Sequence, residues 1–333
     1  MWSWIKRTSI FVLCLALLGF AALARFALSP LELQSEPLDF SIKPGSSLRS
    51  ATREIADAGV ALNALQFNLL GRILGKAGRI KAGSYEISRG ITPLALLDKL
   101  AAGEVTQTEL AFIEGWTFRQ MRAALDADPD VQHDSAALSD AEIMNEVGAP
   151  GRSPEGLFFP DTYLFGKGTS DLVILRRAYR AMQRELQTEW QRRAPDLPYR
   201  NAYDALIMAS VVEKETGRAA DRPLVAGVLV NRLRIGMMLQ SDPSVIYGMG
   251  DKFHGNLSKK DLLRDNPHNT YTRSGLPPTP ISMPGRAAIE AALNPAKTSD
   301  LYFVARGDGT SQFSRTLAEH ERAVEKYQRR GKR

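Results

Sequence analysis

From Ala205 to Val212 a single polar side chain, Ser210, interrupts an apolar run. A helix that is apolar on every side has to be walled in by other elements, so this segment demands a sizeable core around it. The chain can supply one. Its 333 residues suffice for two or three domains, and a chain of that size buries about three quarters of its unfolded surface without covalent staples. Hydrophobic residues at 44% and charged residues at 24% are the ordinary globular mixture, which excludes a disordered or fibrous chain. Cys14 is the one cysteine, ruling out an intrachain disulfide and a cysteine-rich zinc site. The four histidines (His133, His254, His268 and His320) show no metal-ligand spacing, and no metal is expected. A net charge of +6 suits an anionic membrane or wall polymer as well as nucleic acid and decides nothing alone.

Glu213-Lys214-Glu215-Thr216-Gly217 follows the apolar run directly. On a helix Ile207, Val211 and Glu215 stack at i, i+4 and i+8, which seats Glu215 above an apolar column. Glu213 lies about 200° away around the axis, so at most one of the two faces a given cleft. A carboxylate over apolar surface loses hydration and its pKa rises. That is the property a general acid needs to stay protonated near neutrality. Taken alone, Glu-Lys-Glu at a helix end reads as a solvated terminus; the segments that accompany it argue for chemistry.

The N-terminus sets the compartment. Ile10 to Ala24 is entirely apolar or Gly, Lys6 and Arg7 precede it, and Phe26-Ala27-Leu28 extends it beyond Arg25. The pattern predicts a cytoplasmic stub over 1–7 and a membrane anchor over 8–28, with Arg25 snorkelling and everything after about Pro30 across the membrane. A cleaved signal peptide ending near Ala22-Leu23-Ala24 is the alternative. Either way the bulk of the chain is exported, to a side without ATP or NAD. No phosphate-binding or dinucleotide-binding glycine motif is present, no cofactor is expected, and nucleic acid is a poor partner there.

Residues 29–37 read as a linker. Asp39 to Lys43 alternates like a strand, and Pro44-Gly45-Ser46-Ser47 is a turn that caps a helix carrying Leu48, Ala51, Ile55 and Ala58 and closed by Gly59. A helix over 64–74, a strand through Ile80–Ile87 and a helix opened by Thr92-Pro93 and ended by Gly103 follow. This strand–helix–helix–strand order, with Phe40-x-Ile42-x-x-Gly45-x-x-Leu48, resembles a LysM module over 38–104, and it is also compatible with a plain packing unit. Beyond it come a strand over 105–112, a helix from Thr117, a short helix over 140–146 and a long amphipathic helix over 170–191. Gly156 to Tyr163 is aromatic-rich and non-helical. A second apolar helix runs over 222–233, and the polar stretches over 236–248 and 268–285 read as loops that carry more directional groups than an idle surface needs. Lys326 to Arg333 reads as a solvated basic helix end.

Val211-Val212-Glu213-Lys214-Glu215-Thr216, Gln240-Ser241-Asp242-Pro243-Ser244-Val245-Ile246-Tyr247-Gly248, Asn269-Thr270-Tyr271 and Gly275-Leu276-Pro277-Pro278-x-Pro280-Ile281 resemble the YceG-like family. Glu155-Gly156-x-x-Phe159-Pro160-Asp161-Thr162-Tyr163 and Leu301-Tyr302-Phe303-Val304 fit it as well. The resemblance implies an α+β protein: a single membrane helix, the LysM-like module, then a lysozyme-like, mainly helical catalytic domain with flanking strands over 105–330. It implies a lytic transglycosylase of nascent peptidoglycan strands, anchored at the inner membrane with its catalytic part outside the cytoplasm and working beside peptidoglycan synthases. Glu215 carries over as the acid that later serves as base, with Glu213 as fallback. Asp242, Gln240, Asn269, Tyr271 and Thr216 are the expected substrate-binding residues; Asp242 could equally initiate a turn and Thr216 merely cap the helix. The alternatives are a hydrolytic muramidase using Glu215 and Asp242, and a non-enzymatic glycan-binding scaffold.

Overall fold

The computed structural model describes residues 2–329, with side chains at 11, 13–15 and 17–328. Among these residues it is a mixed α/β protein with thirteen α-helices and four two-stranded ribbons. The chain divides into two compact units, one holding residues up to 109 together with 164–169, the other holding 110–163 and the chain from 170 onward.

The first unit contains α1 (Trp2–Leu28), β1 (Leu38–Ile42), α2 (Leu48–Asp57), α3 (Ala64–Ile73), β2 (Gly83–Ile87) and α4 (Pro93–Ala102). α2, α3 and α4 begin where the sequence supplies a cap: Ser47, Asn63 and Thr92 accept from the backbone N–H three residues on, at 3.1–3.3 Å. Gly103 closes α4 in the left-handed region at φ 74°, where a side chain is strained. β1 and β2 pair antiparallel, Leu38 opposite Ile87 and Phe40 opposite Tyr85. Their alternation buries Leu38, Phe40 and Ile42 with Ile55, Phe67 and Leu97 in one core, which also receives Ala27 from the end of α1. The segment expected to span a membrane is helical within α1. Among the described residues no helix is long and apolar enough to cross a membrane; the side chains of the expected stub over 1–7, and of 8–10, 12 and 16, lie outside the described ones, as do residues 330–333 of the basic tail.

Between the strands β3 (Gln107–Ala111) and β5 (Thr162–Gly166), which pair, come α5 (Phe118–Ala127), the two-residue β4 (Val131–Gln132) and α6 (Asp140–Glu146). Then follow β6 (Thr169–Ser170), paired with β4, α7 (Asp171–Gln191), α8 (Ala202–Glu215), α9 (Arg222–Arg234), α10 (Asp242–Met249), α11 (Lys259–Leu263), α12 (Arg286–Leu293), the hairpin β7 (Tyr302–Ala305) and β8 (Ser311–Ser314), and α13 (Leu317–Val324). α8 is the hub of the second unit: α7, α9, α10 and α12 all pack on it. Every residue of α8 from Asp204 to Val212 is buried, as an all-apolar helix requires. The 236–248 stretch departs from its expected loop, because α10 starts at Asp242 with Pro243 preset for a first helical turn. Its buried Ser244 and Val245 are too short a signal to show a helical period among polar neighbours.

Ser210, the one polar residue of the Ala205–Val212 run, is satisfied. Ser210 Oγ donates to Ile207 O at 2.7 Å and accepts from the N–H of Ile281 at 3.0 Å, while Ser282 Oγ donates to Ser210 O at 3.2 Å. The proline-rich segment is thereby stitched to α8. Removing one partner from a buried hydrogen bond costs about 1–3 kcal/mol. Ser210→Ala accordingly lowers unfolding free energy in urea by that amount, and a loss under about 0.5 kcal/mol would show that the stitch carries no weight.

Candidate active site

Glu215 is the last residue of α8, and Thr216 leaves the helix in an extended conformation. Four elements meet around it. α9 contributes Arg232, α10 contributes Asp242, and the segments before α10 and α12 contribute Ser241 and Tyr271. Burial withdraws water from the Glu215 carboxyl and pushes its pKa up to about 7 from an ordinary 4.5. The Asp242 charge pushes the same way, whereas Ser241 and Arg232 favour the ionised form. The negative end of the α8 dipole also disfavours a carboxylate at this position. Glu215 as a residue keeps partial solvent contact, so its proton can exchange.

Arg232 is 7% exposed and gives the site its frame. Its Nε donates to Leu301 O at 2.6 Å and its Nη1 to Leu239 O at 2.7 Å, and its guanidinium lies 5.3 Å from the Tyr302 ring centre. The strap that follows Leu239 is stiff. Gln240 stands at φ 51°, a left-handed conformation that costs a non-glycine residue about 1–2 kcal/mol. It is held there by Gln240 N–H to Thr270 O at 3.1 Å, Ser241 N–H to Thr270 Oγ1 at 2.9 Å, and a 2.8 Å contact between the Ser244 and Thr270 hydroxyls. Ser241 Oγ is buried, faces Glu215 and has no partner in full hydrogen-bond geometry.

Asp242 is exposed and accepts a 2.5 Å bond from the Tyr271 hydroxyl. Burial, together with Asp242 and Glu215, pushes the Tyr271 pKa up, so the phenol stays a donor. Asn269, expected as a glycan contact, is engaged by the protein itself. Its side chain donates to Leu262 O at 3.0 Å and Arg264 O at 2.8 Å, accepts from Tyr271 N–H at 2.8 Å, and is fully buried. It therefore shapes the turn that presents Tyr271. Thr216 Oγ1 accepts from Arg218 N–H at 3.1 Å, consistent with a helix-end role. Gln240 is exposed at the rim. Glu213 faces away from Glu215 and accepts from Gly285 N–H at 2.9 Å. A Cβ at Gly285 would meet the Glu114 side chain, which would have to swing aside where α12 begins.

Sequence reasoning gave no role to Arg232 or Ser241, although one cation closing the apolar helix Val225–Val230 was a usable signal. Glu155 was also passed over. It is 5% exposed, accepts from Phe118 N–H at 3.1 Å at the start of α5, and burial pushes its pKa up to about 7. Its neighbour Gly156, at φ 73°, would clash through a Cβ with Pro280 at 2.4 Å, which explains the glycine. Among the described residues no group of three acidic, histidine or cysteine side chains is placed to hold a metal ion.

A buried helix ending in a dehydrated carboxyl, faced by an aspartate and a buried arginine, is carried on motifs shared with one group of proteins. The chain belongs to the YceG-like family, whose model matches residues 40–326. It is similar to the endolytic murein transglycosylase of Bacillus subtilis, 31% identical over 318 residues covering 90% of this chain and 88% of that protein. It is also similar to the endolytic murein transglycosylase of Streptococcus pneumoniae, 27% identical, and there spans 60% of the relative's length. The crystal structure of a YceG-like protein from Listeria monocytogenes superposes with a TM-score of 0.53 at 30% identity, covering 86% of this chain and 98% of that one.

The raised pKa values make stability depend on pH with a definite sign. A carboxyl whose folded pKa exceeds its unfolded value binds its proton more tightly when folded. Glu215 and Glu155 therefore impose no penalty below about pH 4.5, and their full penalty is present above about pH 7. Glu215→Gln gains about 1–3 kcal/mol over the parent at pH 8 and nothing at pH 4 in urea unfolding; an equal change at both pH values would contradict the dehydrated acid.

Proposed function

We propose that this chain is an endolytic lytic transglycosylase of peptidoglycan, cleaving between N-acetylmuramic acid and N-acetylglucosamine without water and leaving 1,6-anhydro ends. The observation that carries the reading is Glu215, a carboxyl tuned to about pH 7 at the end of a buried helix, in a chain whose relatives are endolytic murein transglycosylases. Protonated Glu215 gives its proton to the bridging oxygen as the C1–O bond breaks. The resulting carboxylate takes the proton of the sugar's own C6 hydroxyl as that oxygen bonds to C1. Acid and base are the same group, so no second carboxylate nucleophile is required. An intramolecular hydroxyl also has a large effective-concentration advantage over water.

Asp242, steadied by the Tyr271 hydroxyl, faces the positive charge that grows at C1 and balances it. Arg232 holds the strap and favours the carboxylate form that the second half of the reaction needs. Gln240 and Tyr271 contact the glycan from the rim. In this reading residues 8–28 anchor the chain in the inner membrane, the module over 38–104 binds glycan as LysM-like units do, and 105–330 does the chemistry outside the cytoplasm beside peptidoglycan synthases.

The chain incubated with un-crosslinked glycan strands yields anhydro-ended fragments by mass spectrometry; reducing ends would make it a hydrolytic muramidase. Glu215→Gln lowers the rate about 10²–10⁴-fold, while a variant that still functions fully in cells would identify a scaffold. Tyr271→Phe lowers the rate about tenfold with stability changed by less than about 1 kcal/mol. Asn269→Ala loses both activity and about 1–3 kcal/mol of stability, because it leaves the backbone groups of Leu262, Arg264 and Tyr271 without their side-chain partner.

A further inference from the structure

α3 is apolar on two opposite faces. Phe67, Leu70 and Gly71 point into the first unit's core, but Leu65, Leu69 and Ile73, spaced i, i+4 and i+8, are 85%, 49% and 63% exposed. Leu74 adds to the patch at 42% exposed. A soluble module normally turns polar residues outward at such positions; a helix apolar on both faces belongs either inside a larger core or against lipid.

Three observations choose lipid. α3 packs beside α1, whose described side chains Phe11, Leu13, Leu15, Leu17, Leu18 and Phe20 are all exposed and apolar, while its C-terminal end at Phe26 and Ala27 joins the unit's core. α3 thus belongs to the same unit as, and packs on, a helix whose described side chains from Phe11 to Phe20 present an exposed apolar surface. Along the sequence the charge is one-signed: from Ala58 to Tyr85 there are Arg72, Lys76, Arg79 and Lys81 and no acidic residue, and of these Lys76 is paired with Asp98 of α4. Arg72 lies on the exposed face itself, and Arg79 is exposed beyond the helix end. An apolar stripe edged by cations is the signature of a helix lying in the headgroup region of an anionic bilayer.

We infer that α3 is an interfacial membrane contact, its Leu65–Leu69–Ile73 stripe dipping into the outer headgroup layer beside α1 while Arg72 and Arg79 meet lipid phosphates. The inference rests on the membrane location proposed above, and its test separates the two. The full chain is reconstituted into bilayers containing anionic phospholipid, with an environment-sensitive fluorophore on native Cys14, or on Leu65→Cys or Ile73→Cys in a Cys14→Ser background. Doxyl-labelled lipids quench the probes at 65 and 73 about twofold, iodide in the buffer quenches them little, and both effects weaken when the anionic lipid is replaced by phosphatidylcholine. Quenching at 14 with none at 65 and 73 overturns the contact and leaves the anchor standing. Quenching at 65 and 73 with none at 14 supports the contact and removes the anchor. Probes at 65 and 73 shielded from iodide yet untouched by lipid quenchers mean that protein, a second copy or another chain, covers the stripe, and the inference fails.

Discussion

Removal of water from one carboxyl group is the condition on which the second unit turns. Glu215 gains its elevated affinity for a proton because α8 is enclosed along its length, and the enclosure requires α7, α9, α10 and α12 together. Two opposing influences then trim the result. Asp242 and the helix end favour the neutral acid; Arg232 and Ser241 favour the anion. In the proposed reaction Glu215 gives a proton and then reclaims it, a task that works best when neither form dominates, and burial with these four contributions leaves it near that balance.

The neighbouring glutamates divide the labour that a single helix end offers. Glu213 holds the backbone at Gly285 and so fixes the start of α12 against α8. Glu215 is thereby free of any structural hydrogen bond to the protein's backbone, and its oxygens remain open to chemistry. The same separation appears between Asn269 and Tyr271: the first saturates a buried turn, and the second, two residues on, projects from it to Asp242.

Most elements of the fold could be read from the sequence because their signals are local. Ser47, Thr92 and Thr117 announce helix starts, Gly103 a helix end, and the uninterrupted run at Ala205–Val212 its own burial. Glu215 was legible for the same reason, since a spacing of four residues places it on an apolar column. What escaped was long-range. Nothing adjacent to Asn269 reveals that Leu262 and Arg264 present carbonyls to it, and nothing beside Glu155 shows that Phe118, in a distant helix, brings it a backbone N–H. Arg232 is the intermediate case: its odd placement in an apolar helix was visible, but its partners at Leu239 and Leu301 exist only once three segments converge.

The left-handed backbone at Gln240 has a consequence of its own. A residue kept in an unfavourable rotation by bonds on both sides has few alternative shapes to visit, so the strap that presents Ser241 and Asp242 enters any encounter already set. In the function proposed above, the loss of freedom on association falls on the polysaccharide, a floppy chain, and not on the strap, and long polymers, which recover that loss through many sugar contacts, are favoured over short fragments.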